Sequence, residues 1–143
     1  MNEFELQTLI EKPVNAAARD TRLHRQNAGN FRVMDLKSFT QATLANLSAK
    51  QAFYAFSRIV RGAPKNSPDM TGIVIPEGWR LEVELKGAKT PHTKGQKQRA
   101  AALRAQGAVV AFYRIDPKLT DEQNRDACIA AIDAAVAERR ARA

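Results

Sequence analysis

Two glutamates and a lysine alternate with apolar residues in the stretch LEVELKG, at positions 81 to 87. If this stretch is a strand, Glu82, Glu84 and Lys86 share one face, because side chains along a strand alternate with a period of two. A solvent-exposed face with ion pairs would explain the pattern. A metal-dependent active site would explain it as well, since Mg²⁺ prefers carboxylate ligands and a nearby ammonium can stabilise an anionic transition state.

The neighbouring residues predict a hairpin that presents this stretch. MTGIVI, residues 70 to 75, and WRLEVELK, residues 79 to 86, have the composition of strands, and the PEG turn at 76 to 78 joins them. Asp69 lies immediately before the first strand, where the alternative role is that of a turn former.

The second half of the chain predicts a helix, a strand and a last helix. Thr93 and Gln96 have capping-box spacing, and Gly107 follows the expected helix where a C-terminal glycine belongs. AVVAFYRI, residues 108 to 115, is a continuous apolar run typical of a buried strand, so the strand–helix–strand order predicts a right-handed crossover with parallel strands. TDEQ, residues 120 to 123, opens the last helix, with Cys128, Ile129, Ile132 and Val136 facing inward.

The first half is less regular. Apolar spacing predicts a helix from residue 2 to about 19, with a kink or break at Pro13. Residues 22 to 33 are predicted as a loop leading into a short strand. The SAKQ capping box at 48 to 51 predicts a helix that continues through Phe53, Phe56, Ile59 and Val60, and residues 61 to 69 are predicted as a loop.

Length, charge and cysteine content narrow the class of protein. A chain of 143 residues with 44% hydrophobic residues predicts one globular domain. A formal net charge of +8 indicates a polyanionic partner, most often nucleic acid. One cysteine and two histidines exclude a zinc finger and indicate a reducing compartment. The sequence shows neither a signal peptide nor a membrane span, so we expect a cytoplasmic protein without a membrane partner.

The order of these features resembles the PD-(D/E)XK nuclease core, with Asp69 as its aspartate and Glu84-Leu85-Lys86 as its E-x-K element. More narrowly, the chain resembles a VRR-NUC domain, the small standalone kind of phages and bacteria. The resemblance is strong from residue 67 to 114 and thin from 34 to 62. It is carried by SPDMTGI, LEVELKG, Thr93-Lys94-Gly95-Gln96 and Gly107-Ala108, with Arg25, Asn27 and Gly29 as an R-x-N-x-G element and Glu3 and Gln7 as an E-x-x-x-Q element.

The resemblance implies a fold and an activity. The fold would be an α/β restriction-endonuclease-like core, a mixed central β-sheet flanked by helices in a single domain of residues 1–143. The activity would be Mg²⁺- or Mn²⁺-dependent hydrolysis of DNA, directed at branched or Holliday junctions, with 5′-phosphate and 3′-hydroxyl products. A homodimer is implied, and no small-molecule cofactor. The protein would work in the bacterial cytoplasm, encoded by host or phage.

The resemblance also implies roles for individual residues. Asp69, Glu84 and the backbone carbonyl of Leu85 would bind the metal, and Glu3 would complete the site from the first helix unless it is an ordinary helix acid. Lys86 would orient the attacking water or stabilise the transition state. Gln96 would position Lys86, the water or a phosphate, unless capping is its only role. His92 would contact the site or simply be solvated.

Basic residues surround the predicted site. The span from Arg80 to Arg104 holds seven lysines and arginines and only two acids. Such an excess favours contacts with a phosphate backbone. The residues we predict to bind nucleic acid are Arg25, Asn27, Lys89, Lys94, Lys97 and Arg99. Two other functions would use the same surface: a non-catalytic nucleic-acid-binding protein, or a subunit of a phage replication or packaging complex.

Overall fold

A computed structural model describes residues 1–26, 30–33, 58–61 and 68–143, together with positions 40, 41, 46, 48 and 51. The chain divides into two compact units. The first consists of Met1–Gln26 and Asn66–Ala143, and the second consists of Asn27–Lys65. The described helices and strands, in chain order, are α1 (Glu3–Val14), β1 (Thr21–Arg25), β2 (Asn30–Val33), β3 (Arg58–Arg61), β4 (Met70–Val74), β5 (Trp79–Lys86), α2 (Lys94–Ala105), β6 (Val109–Arg114) and α3 (Asp121–Ala141).

The first unit is an α/β structure built on an open, mixed sheet of four strands in the order β1-β4-β5-β6. β4 pairs antiparallel with both β1 and β5, and β5 pairs in parallel with β6. The predicted hairpin and the predicted parallel pair are therefore confirmed. In the turn between β4 and β5, Gly78 has a φ of +72°, a conformation that glycine adopts without steric cost.

The prediction of a loop beginning at residue 22 is wrong, because Thr21–Arg25 forms edge strand β1. Thr21 and Leu23 are buried while Arg22 and His24 are more exposed, which is the alternation of a half-buried strand. The pairing with β4 depends on a close approach at Gly72, where a Cβ atom would lie 1.7 Å from the carbonyl oxygen of Arg22. Distant pairing, rather than local preference, makes this segment a strand.

Helix α1 is shorter than the prediction, which extended it to about residue 19. It begins with a capping box between Asn2 and Glu5 and ends at Val14, one residue after Pro13. Asn15 then donates to the Glu11 carbonyl at 2.9 Å and both donates to and accepts from the backbone of Leu23, each at 2.7 Å. The bond to Glu11 occupies a carbonyl of the last helical turn, and the two bonds to Leu23 join the end of the helix to β1.

The two later helices begin and end as predicted. Thr93 and Gln96 form one capping box, and Thr120 and Gln123 form another. After α2, the N–H groups of Gly107 and Ala108 donate to the carbonyls of Arg104 and Leu103, both at 3.0 Å. This is a Schellman motif, and Gly107 accommodates its positive φ of 91°.

In the second unit, β2 pairs antiparallel with β3. The predicted capping box is confirmed, since Ser48 N–H donates to Gln51 Oε1 at 3.0 Å and Gln51 N–H donates to Ser48 Oγ at 3.2 Å. The prediction that this helix continues through Ile59 and Val60 is wrong, because both lie in β3 opposite residues of β2. Phe53 and Phe56 lie outside the described residues, as does most of the predicted loop at 61–69.

Helices cover both faces of the four-stranded sheet. One face packs its apolar side chains against α1 and α3, in a core that includes Leu6, Ile10, Leu81, Val83, Leu85, Cys128, Ile132 and Val136. The inward positions predicted for α3 are confirmed: Cys128 and Ile132 are 0% exposed. Helix α2 covers the opposite face through contacts to β5 and β6. Among the described residues, no helix combines the length and apolar character needed to cross a membrane.

Candidate active site

The acidic face of β5 is buried beneath α2. Glu82 is 1% exposed, Glu84 4% and Lys86 9%. The cavity between this face and α2 has a volume of about 10 Å³, room for one water molecule at most. Charged side chains are costly to bury unless they are paired or bind a ligand. The interpretation of LEVELKG as a solvent-exposed ion-pair face is therefore wrong.

Within the part of the chain that the structure describes, β5 extends past the end of β4, so that one backbone carbonyl of β5 has no ladder partner. The last pair of the β4–β5 ladder is Met70 opposite Val83. Continuing this register places Pro68 opposite Leu85, and proline has no N–H to donate. Asp69 Oδ2 instead accepts the Leu85 N–H at 2.7 Å. The N–H and C=O of a strand residue point toward the same neighbouring strand. The Leu85 carbonyl therefore points to the side on which Asp69 lies.

Glu84 is held by two donors at one of its oxygens. Lys86 Nζ lies 2.9 Å from Glu84 Oε1, and Gln96 Nε2 donates to the same oxygen. Gln96 Oε1 also accepts the Thr93 N–H at 2.9 Å, as part of the capping box. The capping role and the site role of Gln96 thus coexist in one side chain. The group that Gln96 positions is the carboxylate of Glu84.

Glu3 reaches the same region from α1. Its Oε1 accepts the N–H of Gly87, the residue after Lys86, at 2.7 Å. The two residues are 84 positions apart in sequence. The first turn of α1 therefore brings a third carboxylate next to the end of β5.

Negative charge exceeds positive charge in this cluster. Burial raises the pKa of Glu84 to about 7, and the charges of Asp69 and Glu3 act in the same direction against the contact with Lys86. Burial also raises the pKa of Asp69, although the Leu85 N–H and the charge of Lys86 oppose the rise. Burial by itself would lower the pKa of Lys86. Its hydrogen bond to Glu84 and the charges of the carboxylates outweigh burial, so the net effect is a raised pKa. Lys86 is therefore an ammonium at neutral pH.

The oxygens of the cluster are of the chemical type that a hard divalent cation prefers. One oxygen each of Glu3, Asp69 and Glu84 is engaged as described, and within the described residues no donor bonds the second oxygen. Together with the Leu85 carbonyl, these are the ligand atoms that Mg²⁺ and Mn²⁺ prefer. No three His, Cys, Asp or Glu side chains in the described ranges are grouped so as to hold a metal together. A cation here would have at most two carboxylate ligands, which suits Mg²⁺ because it keeps several waters.

Glu82 has the same orientation as Glu84 but a different environment. Its Oε1 accepts from Arg80 Nε at 2.7 Å and from Arg99 Nη2 at 2.8 Å, and its Oε2 accepts from Arg99 Nη1. Both oxygens are thus occupied by guanidinium groups, which satisfies a buried carboxylate. Of the two glutamates on this strand face, only Glu84 retains an oxygen for a ligand.

The residues predicted to bind nucleic acid fall into two groups. Lys89, Lys94 and Lys97 are exposed, in the loop after β5 and the first turn of α2. Arg99 is paired with Glu82, and Arg25 is paired with Glu11 at 2.7 Å. Asn27 lies outside the described residues. The lysines surround the site as solvent-facing cations, whereas the two arginines bind carboxylates of the protein itself.

Two residues near the site contribute in ways that the sequence analysis missed. Pro68 received no role, although the register places it opposite Leu85, where it has no N–H to donate to the Leu85 carbonyl. The sequence signal that could have revealed this role is the proline immediately before Asp69. His92 packs edge-on against Phe112 with ring centroids 4.5 Å apart, and burial together with Lys86, Arg114 and Lys97 lowers its pKa. His92 is therefore neutral at neutral pH and adds no charge to the cluster.

A scan of protein-family models finds no match to this chain, and neither the curated proteins nor the solved structures provide one.

Proposed function

We propose that this protein is a nuclease that hydrolyses DNA phosphodiester bonds with Mg²⁺ or Mn²⁺, and that its sheet and helices are a restriction-endonuclease-like core. The observation that carries the proposal is the excess of carboxylates at the end of β5, where Glu84 is buried and Glu3 and Asp69 are partly buried. The charges of Glu3, Asp69 and Glu84 all act on one ammonium, Lys86. Among the described residues, the register leaves the Leu85 carbonyl beside Asp69 without a ladder partner. Such an arrangement is costly unless a cation offsets the charge.

Each residue has a role that follows from its contacts. Asp69, Glu84 and the Leu85 carbonyl would hold the metal. A bound divalent cation lowers the pKa of a coordinated water and offsets negative charge on the phosphate. Lys86 keeps its proton and stabilises the charge that develops on the phosphate in the transition state. Gln96 keeps the Glu84 carboxylate oriented by donating to one oxygen, which leaves the other for the metal.

The surface around the cluster supports DNA as the substrate. The exposed Lys89, Lys94 and Lys97 follow the site along the chain, and the whole chain carries a net charge of +8. Phosphate contacts from lysines supply most of the affinity that is independent of sequence. The homodimer and the preference for branched junctions stay predictions, which sedimentation and a comparison of junction with linear duplex would check.

The test is cleavage of a supercoiled plasmid and of a synthetic four-way junction, in Mg²⁺, in Mn²⁺ and in EDTA. We expect cleavage only with the metals. Glu84→Gln and Lys86→Ala should each lower the rate at least about 100-fold, the scale reported for loss of one transition-state donor. The matched controls Glu122→Gln and Lys118→Ala, at exposed positions of α3 and the loop before it, should cleave normally.

Two outcomes would contradict the proposal. Cleavage by Glu84→Gln at the normal rate would show that the carboxylate is not part of the active site. Tight binding without cleavage, equal in Mg²⁺ and EDTA, would instead support a non-catalytic nucleic-acid-binding protein.

A further inference from the structure

Phe4 is an exposed aromatic residue beside the carboxylate cluster. Its side chain belongs to the first turn of α1, next to Glu3, and it is 65% exposed, the largest value for a large apolar residue in the described ranges. Phenylalanine is among the residues most often buried. The ring is therefore accessible to a ligand beside the carboxylate cluster.

The ring is supported on one side by a fixed cation. The guanidinium carbon of Arg25 lies 4.9 Å from the ring centroid. Arg25 is itself held by Glu11 Oε2 at 2.7 Å and Thr8 Oγ1 at 3.0 Å. Because the guanidinium is anchored to α1 by these bonds, it limits the movement of the ring.

An open groove connects the ring to the cluster. Its volume is about 490 Å³, within the range of small-ligand sites. Its lining consists of Met1, Asn2, Glu3, Phe4, Gln7, Gly87 and Thr90. Gly87 follows Lys86 directly, and Gln7 and Thr90 carry groups that can bond the edge of a base.

We propose that Phe4 is a stacking platform for an unpaired base of the DNA strand whose phosphate lies at Asp69 and Glu84. This inference rests on the proposed function and specifies its substrate. A base inside a duplex is covered on both sides by its neighbours, so a protein ring can stack on a base only where the helix is opened. The substrate class is therefore DNA with splayed or single-stranded nucleotides at the cleavage point.

The surroundings of Phe4 favour a nucleotide over a protein partner. Specific protein interfaces have a contiguous apolar centre. The other exposed large apolar residue of α1 is Leu9, which is 38% exposed. Leu9 lies five positions after Phe4, so its side chain points about 140° away from that of Phe4 around the helix. Of the seven residues that line the groove next to Phe4, four are polar and one is glycine.

The test measures stacking without cleavage, in EDTA. Phe4→Trp in a Trp79→Phe background places a single tryptophan at the platform. Three probes of equal length are titrated: single-stranded oligothymidylate, an abasic strand with the same phosphates, and a fully paired duplex. We expect saturable quenching of the tryptophan by oligothymidylate but not by the other two, because only the first offers unpaired bases.

A second variant measures the energetic effect by fluorescence anisotropy. Phe4→Ala should weaken binding to oligothymidylate about 5- to 100-fold, the range expected for loss of one stacked base, and leave duplex binding unchanged. The matched control Leu119→Ala removes an exposed apolar side chain before α3 and should bind all probes normally.

The result that would overturn the inference is equal quenching by the abasic strand, or unchanged binding by Phe4→Ala. Dissociation of a dimer by Phe4→Ala in sedimentation would also overturn it, since the ring would then cover a second copy of the chain. The proposed function fails separately: quenching without Mg²⁺-dependent cleavage refutes the nuclease alone. Cleavage with unchanged binding by Phe4→Ala refutes the platform alone.

Discussion

Replacing Arg99 with methionine should destabilise the protein because it removes the main partner of a buried carboxylate. Glu82 is 1% exposed and accepts hydrogen bonds only from Arg99 and Arg80 among the described residues. Arg99 contributes two of these bonds, one to each oxygen. Methionine keeps much of the apolar stem of arginine and its contact with the sheet but removes the charge.

The magnitude follows from the partners that remain. Removing one member of a buried ion pair typically costs about 3–5 kcal/mol, because the other charge stays buried and uncompensated. Here Arg80 keeps its 2.7 Å bond to Glu82 Oε1, and the Arg99 side chain is 31% exposed in the folded protein. Both facts place the effect near the lower end, so we expect Arg99→Met to lower the free energy of unfolding by about 3 kcal/mol.

Urea denaturation of four proteins measures the interaction energy between Glu82 and Arg99. These are the wild type, Arg99→Met, Glu82→Gln and the double variant, and the m-value should stay constant across them. The double variant should be more stable than the sum of the single effects predicts, by about 1.5–2 kcal/mol, because the second change removes the charge that the first left unpaired. Single effects that simply add, or a loss below about 1 kcal/mol for Arg99→Met, would refute the structural role of this arginine.

Three further predictions concern the site, the DNA surface and the core. In EDTA, the free energy of unfolding should fall as pH rises from about 5 to 8. The pKa of Glu84 is about 7 in the folded protein and near 4.5 in the unfolded protein. Because the unfolded state loses its proton at the lower pH, rising pH favours unfolding. Urea denaturation should show a smaller fall for Glu84→Gln; an equal fall would assign the titration to another group. Lys97→Ala should weaken DNA binding similarly for all sequences and reduce the slope of log K against log salt by about 1; an unchanged slope in a salt titration would remove Lys97 from the phosphate contacts. Cys128, buried and with a thiol pKa raised to about 12 by burial, should react with a thiol reagent only after unfolding; reaction at the same rate in the native protein would contradict that burial.

Local signals in the sequence predicted the elements that position the site. The capping residues at 93 and 96, at 120 and 123 and at 48 and 51 act within one turn of a helix, so they could be recognised from spacing alone. The alternation in LEVELKG likewise predicted which residues share a face of β5. The period of a strand does not depend on its neighbours.

Other features required the tertiary structure. Thr21–Arg25 is a strand because it pairs with β4. Ile59 and Val60, spaced as in a helix, lie in a strand because β2 pairs with them. In both segments the hydrogen bonds of the backbone are completed by residues far away in sequence, which a local pattern cannot reveal.

The sequence by itself determined the types of side chain at the site, and the fold decided which of them are available. Glu82 and Glu84 are equivalent in sequence pattern, but Arg99 from α2 saturates the first and leaves an oxygen of the second for a ligand. Arg25, which is predicted to contact DNA, is paired with Glu11 in the folded protein. Packing determines which groups meet across long separations, as when the backbone N–H of Gly87 donates to the carboxylate of Glu3. The pairing that gives each charge its role therefore exists only once helices and sheet have come together.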